Sequence, residues 1–131
     1  PAGDGIKSRL IVTGTTSSIA NNTSENLDLV GYKGYVLYKI QTNRAAWVRV
    51  YTDNASRTSD ITRAENTDPA FDSGVIAEVI TSSADTITLI PSVIGFNDEA
   101  TPTTNIPITV TNKSGATASV TVTLTILQIE A

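Results

Sequence analysis

The residues best suited to chemistry stand in and beside a polar segment, residues 53–73. The strand predicted just before this segment carries the only tryptophan, an arginine and a tyrosine at every second position, so all three share one face. An aromatic ring beside a guanidinium can stack on a sugar or anchor a protein partner. Two further arginines follow within the segment. The candidate contact surface therefore consists of Trp47, Arg49, Tyr51, Arg57 and Arg63.

The same spacing permits a second interpretation of the tryptophan. Large aromatic side chains are mostly buried in folded proteins. Trp47 would then pack at a subunit interface or beneath residues 53–73, with Arg49 covering it. The two interpretations differ in whether this face of the strand meets solvent.

Acidic residues gather in the same segment, and carboxylates can bind calcium or act as a catalytic acid and base. They are Asp53, Asp60, Glu65, Asp68 and Asp72, with Asp98 and Glu99 further along the chain. Their spacing matches no EF-hand loop, and arginines interleave with them, which favours ion pairing over a metal site. Nothing selects two of the 13 acidic residues as a glycosidase pair. We predict no catalytic residue, no metal and no cofactor.

Composition narrows the function further. The 131 residues include no His, Cys or Met, which excludes Ser-His-Asp triads and Cys/His zinc sites. A net charge of −4 with scattered basic residues argues against nucleic-acid binding. No apolar run approaches the roughly 20 residues of a membrane helix. The opening residues 1–5 are no secretory leader, so we expect synthesis in the cytosol.

These residues must be positioned by strands, because apolar side chains recur with period two along most of the chain. Strands are predicted at residues 8–13, 25–30, 34–42, 45–52, 75–81 and 86–90, and a hairpin at residues 105–128 with its turn at Asn112–Gly115. About eight strands without a long helix indicate an all-β fold, a single-domain antiparallel β-sandwich of jelly-roll type. It spans residues 1–131, with residues 1–7 as a candidate extended N-terminal arm.

Two connections exceed ordinary turns. Residues 53–73 are polar and without alternation, so we expect a contact surface there, with one helical turn capped by Asp53 or Asn54. The second connection, residues 97–104, is expected at the same end of the sandwich.

The last strand suggests a surface for assembly. Beyond Ile126 both of its faces become apolar, because Leu127 and Ile129 stand opposite Ile126. Another subunit could cover the outer face, and so could a loop or the N-terminal segment. Leu127 and Ile129 join the candidate contact residues.

Several segments resemble small virion structural proteins of tailed bacteriophages, particularly those of aquatic hosts such as cyanobacteria. They are residues 46–53, 55–58, 67–69, 74–81 and 108–115, with the sequences AWVRVYTD, ASRT, TDP, GVIAEVIT and ITVTNKSG. The resemblance covers roughly residues 15–131 and transfers no catalytic residue.

The resemblance implies a homo-oligomeric, non-enzymatic part of a phage particle, either a capsid decoration (cement) protein or a fibre or tail appendage. A trimer is favoured, with other virion proteins as partners and the virion as location after synthesis in the host cytoplasm. The alternative is a carbohydrate- or receptor-binding module of a phage fibre, for which a host surface glycan is the candidate partner. Neither nucleic acid nor a membrane is an expected partner.

Overall fold

The computed structural model describes residues 8–131, and within them eight strands and one short helix follow one another. They are β1 (Leu10–Thr15), β2 (Ser24–Val30), β3 (Gly34–Thr42), β4 (Ala46–Tyr51), α1 (Asn54–Asp60), β5 (Val75–Ile80), β6 (Asp85–Phe96), β7 (Asn105–Asn112) and β8 (Thr121–Glu130). The predicted strand positions agree to within about two residues, except that β6 continues past Pro91. The candidate arm, residues 1–7, lies outside the described residues.

The strands form two four-stranded antiparallel sheets packed face to face. The first sheet has the order β1-β8-β3-β6 and the second the order β2-β7-β4-β5. The pairs β1·β8, β2·β7, β3·β6 and β4·β5 place the first half of the chain against the second half. The all-β sandwich is thus confirmed. The jelly-roll type stays a prediction, which this nested pairing favours.

The predicted hairpin over residues 105–128 is wrong. Both strands exist, but β7 lies between β2 and β4 in the second sheet, whereas β8 lies between β1 and β3 in the first. Residues 113–120 carry the chain across the sandwich, a distance of about 10 Å between packed sheets. Alternation determines which side chains face inward, but it does not specify the strand that pairs alongside.

The core lies between the two sheets and is built from alternate positions on each strand. On β8 these are Val122, Leu124 and Ile126, and all three are fully buried. The facing positions of the second sheet belong largely to β7 and β4, which contribute apolar side chains in the same rhythm. Each fully buried Val, Leu or Ile contributes roughly 1.5–3 kcal/mol relative to exposure. Period two therefore accounts for both the strands and the layer that joins them.

The 53–73 segment begins with the predicted helical turn. Asp53 is the N-cap of α1, and its carboxylate accepts a 2.6 Å hydrogen bond from the Ser56 backbone N–H. The Asn54 N–H donates a 2.8 Å hydrogen bond to the carboxylate of Glu99, which lies in residues 97–104. Both long connections therefore meet at one end of the sandwich, as predicted.

Candidate functional site

The outward-facing side chains of β4 lie beneath the 53–73 segment instead of facing solvent. Trp47 is 5% exposed, and Arg49 and Tyr51 are 0% exposed. The prediction of an exposed aromatic and cationic patch is therefore corrected. The second interpretation matches the structure, because the Arg49 guanidinium carbon lies 3.9 Å from the centroid of the Trp47 ring. We call this buried zone between the second sheet and its cover the polar layer.

Asp60, at the end of α1, is the centre of the polar layer. Its Oδ2 accepts a 2.7 Å hydrogen bond from the Tyr51 hydroxyl, and its Oδ1 accepts a 2.8 Å bond from Arg63 Nε. Arg49 Nη1 lies 3.5 Å from Oδ2 and donates a 3.0 Å bond to the Asp60 backbone carbonyl. One carboxylate thus holds two strand residues and one loop residue together.

Glu78 on β5 forms the second acidic member of the layer. Its carboxylate accepts a 2.8 Å hydrogen bond from Trp47 Nε1 and pairs with Arg63 Nη1 at 3.1 Å. Arg63 also lies 5.5 Å from the Trp47 ring centroid, within cation–π range. Arg63 is therefore a bridge between the two carboxylates, and its side chain is only 8% exposed.

Arg57 attaches α1 to the sheet at another point. Its Nη1 donates hydrogen bonds to the Leu27 carbonyl at 2.9 Å, to Asp28 Oδ1 at 2.9 Å and to the Ile108 carbonyl at 3.3 Å. These acceptors lie on β2 and β7. Arg57 is therefore buried and hydrogen-bonded. Together the five predicted contact residues of this region hold residues 53–73 against the second sheet.

Burial and hydrogen bonding within the polar layer shift the pKa values of its titratable side chains. Burial raises the pKa of Tyr51, and the hydrogen bond to Asp60 raises it further. Burial opposes ionisation of Asp60, but hydrogen bonds from Arg63 and Tyr51 outweigh that effect and keep its pKa below the usual range. The hydrogen bond to Asp60 raises the pKa of Arg63. Each group therefore keeps one protonation state near neutral pH, which suits a structural role better than proton transfer.

The outer face of the first sheet is different, because part of it is apolar and open. Val36 on β3 stands directly opposite Ile94 on β6 and Leu127 on β8, so the three side chains form one row. In the next row Gly34 stands between Phe96 of β6 and Glu130 of β8, and Ile129 lies beside Glu130 where the β3·β8 pairing is irregular. We call this surface the apolar face, and its members are Val36, Ile94, Phe96, Leu127 and Ile129.

Exposure distinguishes the apolar face from scattered surface residues. Ile94 is 68% exposed, Phe96 48% and Ile129 55%. The remainder of the same sheet surface is rich in threonine, with cross-strand hydroxyl pairs such as Thr13–Thr123 at 3.2 Å. The structure therefore places the predicted contact residues Leu127 and Ile129 together on an open surface, far from the buried Trp47 group.

Sequence reasoning missed Ile94 and Phe96. The predicted strand ended at residue 90 because Pro91 interrupts the pattern, yet β6 resumes pairing with β3 at Val93. Four residues of β6, 89–92, lie opposite the single bulged residue Tyr38 of β3. The alternation of Ile94 and Phe96 with Gly95 is the sequence pattern that could have predicted these residues. Only glycine fits at position 95, beneath the Tyr35 ring.

A cleft of about 400 Å³ opens between α1 and the turn at residues 70–73. Its lining residues are Ala55, Ser56, Ser59, Asp60, Ala70, Phe71, Asp72 and Ser73. Phe71 at its rim is fully exposed. The acidic residues of this segment were predicted to be solvated or ion-paired, and Phe71 was not among the predicted contact residues. We call it the Phe71 cleft.

No protein-family profile matches this chain, and no curated protein matches it. Within residues 8–131, no group of three or more carboxylates converges closely enough to hold a metal ion. No helix among the described residues has the length and apolar character that crossing a bilayer requires.

Proposed function

We propose that this chain is a non-enzymatic structural protein that works by self-association through the apolar face. The observation that carries the proposal is the open row of Val36, Ile94 and Leu127, continued by Phe96 and Ile129. Contiguous apolar surface on a folded chain marks a contact site more often than chance. Residues 53–73 cover the outer face of the second sheet, whereas no segment among residues 8–131 covers the apolar face of the first sheet.

The energetics favour burial of this face. A stable protein interface typically buries about 800 Å² on each partner, with an apolar centre and a polar rim. Here large apolar side chains from three adjacent strands provide the centre. Glu130, which stands opposite Gly34, contributes a charged group beside this centre. Regular strands also hold these side chains rigidly, so little conformational entropy is lost when they are covered.

The resemblance to small virion structural proteins of tailed phages supports the biological setting. We propose a homo-oligomer, with a trimer favoured, located in the virion as a decoration protein or as a fibre or tail appendage. Other virion proteins would contact its loops and sheet edges. A chain without His, Cys or Met also suits exposure to oxidising surroundings.

The test is the mass of the purified protein in solution, measured by light scattering during size-exclusion chromatography. We expect the wild-type chain to form a trimer and Ile94→Asp to give a monomer with unchanged circular dichroism, because a buried unpaired carboxylate is costly. Thr123→Asp, on the threonine-rich part of the same sheet, is the matched control and keeps the oligomer. A wild-type monomer at all accessible concentrations overturns the proposal.

The virion setting has its own test. Antibody labelling of purified phage particles in the electron microscope locates the chain on the particle. We expect labelling at one symmetric position of the head, neck or tail. Absence of the chain from purified particles contradicts the setting, whatever the oligomeric state in solution.

The alternative function is binding of a host surface glycan by Trp47, Arg49, Tyr51 and residues 53–73. The three strand residues are buried and so cannot contact a glycan. Residues 53–73 still offer a surface for it, because they contain the Phe71 cleft.

A further inference from the structure

The Phe71 cleft displays an aromatic ring to solvent at the edge of a polar hollow. Phe71 is 101% exposed, the highest value among the large apolar residues that the structure describes. The hollow beside it has a volume of about 400 Å³, within the range of about 300–1,000 Å³ typical of small-ligand sites. Because the ring is fully exposed, its faces are accessible to a ligand that enters the hollow.

The turn that carries Phe71 is held in place. The Ser73 N–H donates a 3.2 Å hydrogen bond to the Ala70 carbonyl, and the Thr52 N–H donates a 3.0 Å bond to the Gly74 carbonyl. Asp72 and Gly74 both adopt positive φ, at 65° and 79°. Gly74 also packs against Ser56 of α1 so closely that a Cβ would overlap it. The backbone that carries Phe71 therefore has a defined place relative to the hollow.

The floor and walls of the hollow supply polar groups. Asp60 forms part of the floor, and Tyr51 and Arg63 hold its carboxylate in one orientation. Asp72 is exposed on the wall. Among the residues that the structure describes, the hydroxyls of Ser59 and Ser73 make no hydrogen bond. They can therefore donate to a ligand and accept from it.

We propose that the Phe71 cleft binds a neutral saccharide ring. One side of a pyranose ring is a sheet of C–H groups, which pack on an aromatic face. Its hydroxyls donate to a carboxylate such as Asp72 and exchange hydrogen bonds with Ser59 and Ser73. Asp60 is already paired with Arg49 and Arg63, so Asp72 is the carboxylate of the lining that can accept from a ligand. A sugar matches this combination of one aromatic ring, one accessible carboxylate and two serine hydroxyls.

The cleft is separate from the apolar face. It lies above the outer side of the second sheet, whereas the apolar face belongs to the first sheet, so the whole sandwich stands between them. The saccharide site therefore does not depend on the proposed self-association. A substitution at Phe71 leaves the oligomer mass unchanged if both proposals hold.

The experiment is saturation-transfer NMR of the full chain with the methyl glycosides of glucose, mannose and galactose and with N-acetylglucosamine. We expect at least one of these sugars to bind. Phe71→Ala should weaken that binding roughly tenfold, and Phe71→Trp should retain it, because stacking needs a ring. Ile90→Ala is the matched control, since Ile90 is also highly exposed but lies on β6.

Three outcomes overturn the proposal. One is the absence of binding by all four sugars, and another is equal binding by wild type and Phe71→Ala. The third is a change of oligomer mass in Phe71→Ala without sugar binding, which would assign the ring to a protein contact. Because Phe71 is fully exposed, its replacement should not affect folding, and circular dichroism verifies this.

Discussion

Tyr51 and Asp60 join the second sheet to its cover through a single hydrogen bond of 2.7 Å. The donor lies on β4 and the acceptor at the end of α1, nine residues later. Because Asp60 also accepts from Arg63, this bond belongs to a network that holds a polar segment over a sheet face. The loop is thus part of the folded domain, as β4 and β7 are buried on both faces.

Replacement by Phe should have different effects at the two buried tyrosines, Tyr51 and Tyr35. Tyr51→Phe removes a hydrogen bond to a carboxylate and should lower the free energy of unfolding by about 1.5–3 kcal/mol. Tyr35 is also buried, but its hydroxyl has no hydrogen-bond partner among residues 8–131. Tyr35→Phe should therefore leave stability unchanged or raise it by up to ~1 kcal/mol. Urea unfolding followed by circular dichroism measures both, and equal losses would contradict this account.

Asp60 should make the fold sensitive to acid. Its folded-state pKa lies below the unfolded value of about 3.9, so the unfolded chain binds its proton more readily. The stabilisation is complete above the unfolded pKa and is lost as the pH falls through the folded pKa. Asp53 has a lowered pKa as well, because hydrogen bonds from Ser56 outweigh the effect of burial, and it acts in the same direction.

The variant Asp60→Asn isolates this contribution. It should be less stable than wild type at pH 7 and should lose less stability between pH 5 and pH 3 (roughly the range over which a paired Asp titrates). Asp68→Asn, at an exposed position of the same segment, is the control and should follow the wild-type curve. Parallel curves for Asp60→Asn and wild type would show that the charge of Asp60 does not stabilise the fold.

The strands could be predicted from the sequence, whereas their partners could not. Alternation on residues 106–110 and 120–126 determines which side chains are inward, and the structure buries those side chains. Yet these two strands belong to different sheets, because pairing depends on how the chain crosses the sandwich and not on the pattern within a strand.

The candidate site was predictable only in part. Leu127 and Ile129 were predicted as contacts from a local pattern, a strand end with two apolar faces, and that role stays a prediction. The pairing of Arg49 with Asp60 could not be predicted, because these charges meet only after α1 folds back over β4. Ile94 was missed because a proline and a bulge interrupt the strand on which it lies.

Substitution of Gly95 tests how closely this residue packs against the Tyr35 ring. A Cβ at this position would lie 2.5 Å from atoms of the Tyr35 ring, which is itself buried in the core. Gly95→Ala should therefore destabilise the fold by about 1–3 kcal/mol through overpacking. Gly34→Ala is the control, since the nearest atom to its Cβ is 3.4 Å away. Thermal unfolding compares them, and an unchanged Tm for Gly95→Ala would contradict the close packing of the ring.

Arg49 provides the sharpest test of the polar layer. Its side chain is fully buried, stacks on Trp47 and pairs with Asp60 at 3.5 Å. Arg49→Met keeps the length of the side chain but leaves Asp60 with one cation fewer, so we expect a loss of about 3 kcal/mol. The fluorescence of Trp47, the only tryptophan, should shift to longer wavelength if the cover loosens.

A double-mutant cycle separates this pair from its surroundings. Urea unfolding of Arg49→Met, Asp60→Asn and the double variant gives the coupling energy between the two side chains. We expect the double variant to be more stable than the sum of the single losses predicts, by at least ~1 kcal/mol, because the second substitution removes a carboxylate that the first left with Arg63 but without Arg49. Additive losses would mean that Arg49 stabilises the fold through its contact with Trp47 and its bond to the Asp60 carbonyl, and not through the charge of Asp60.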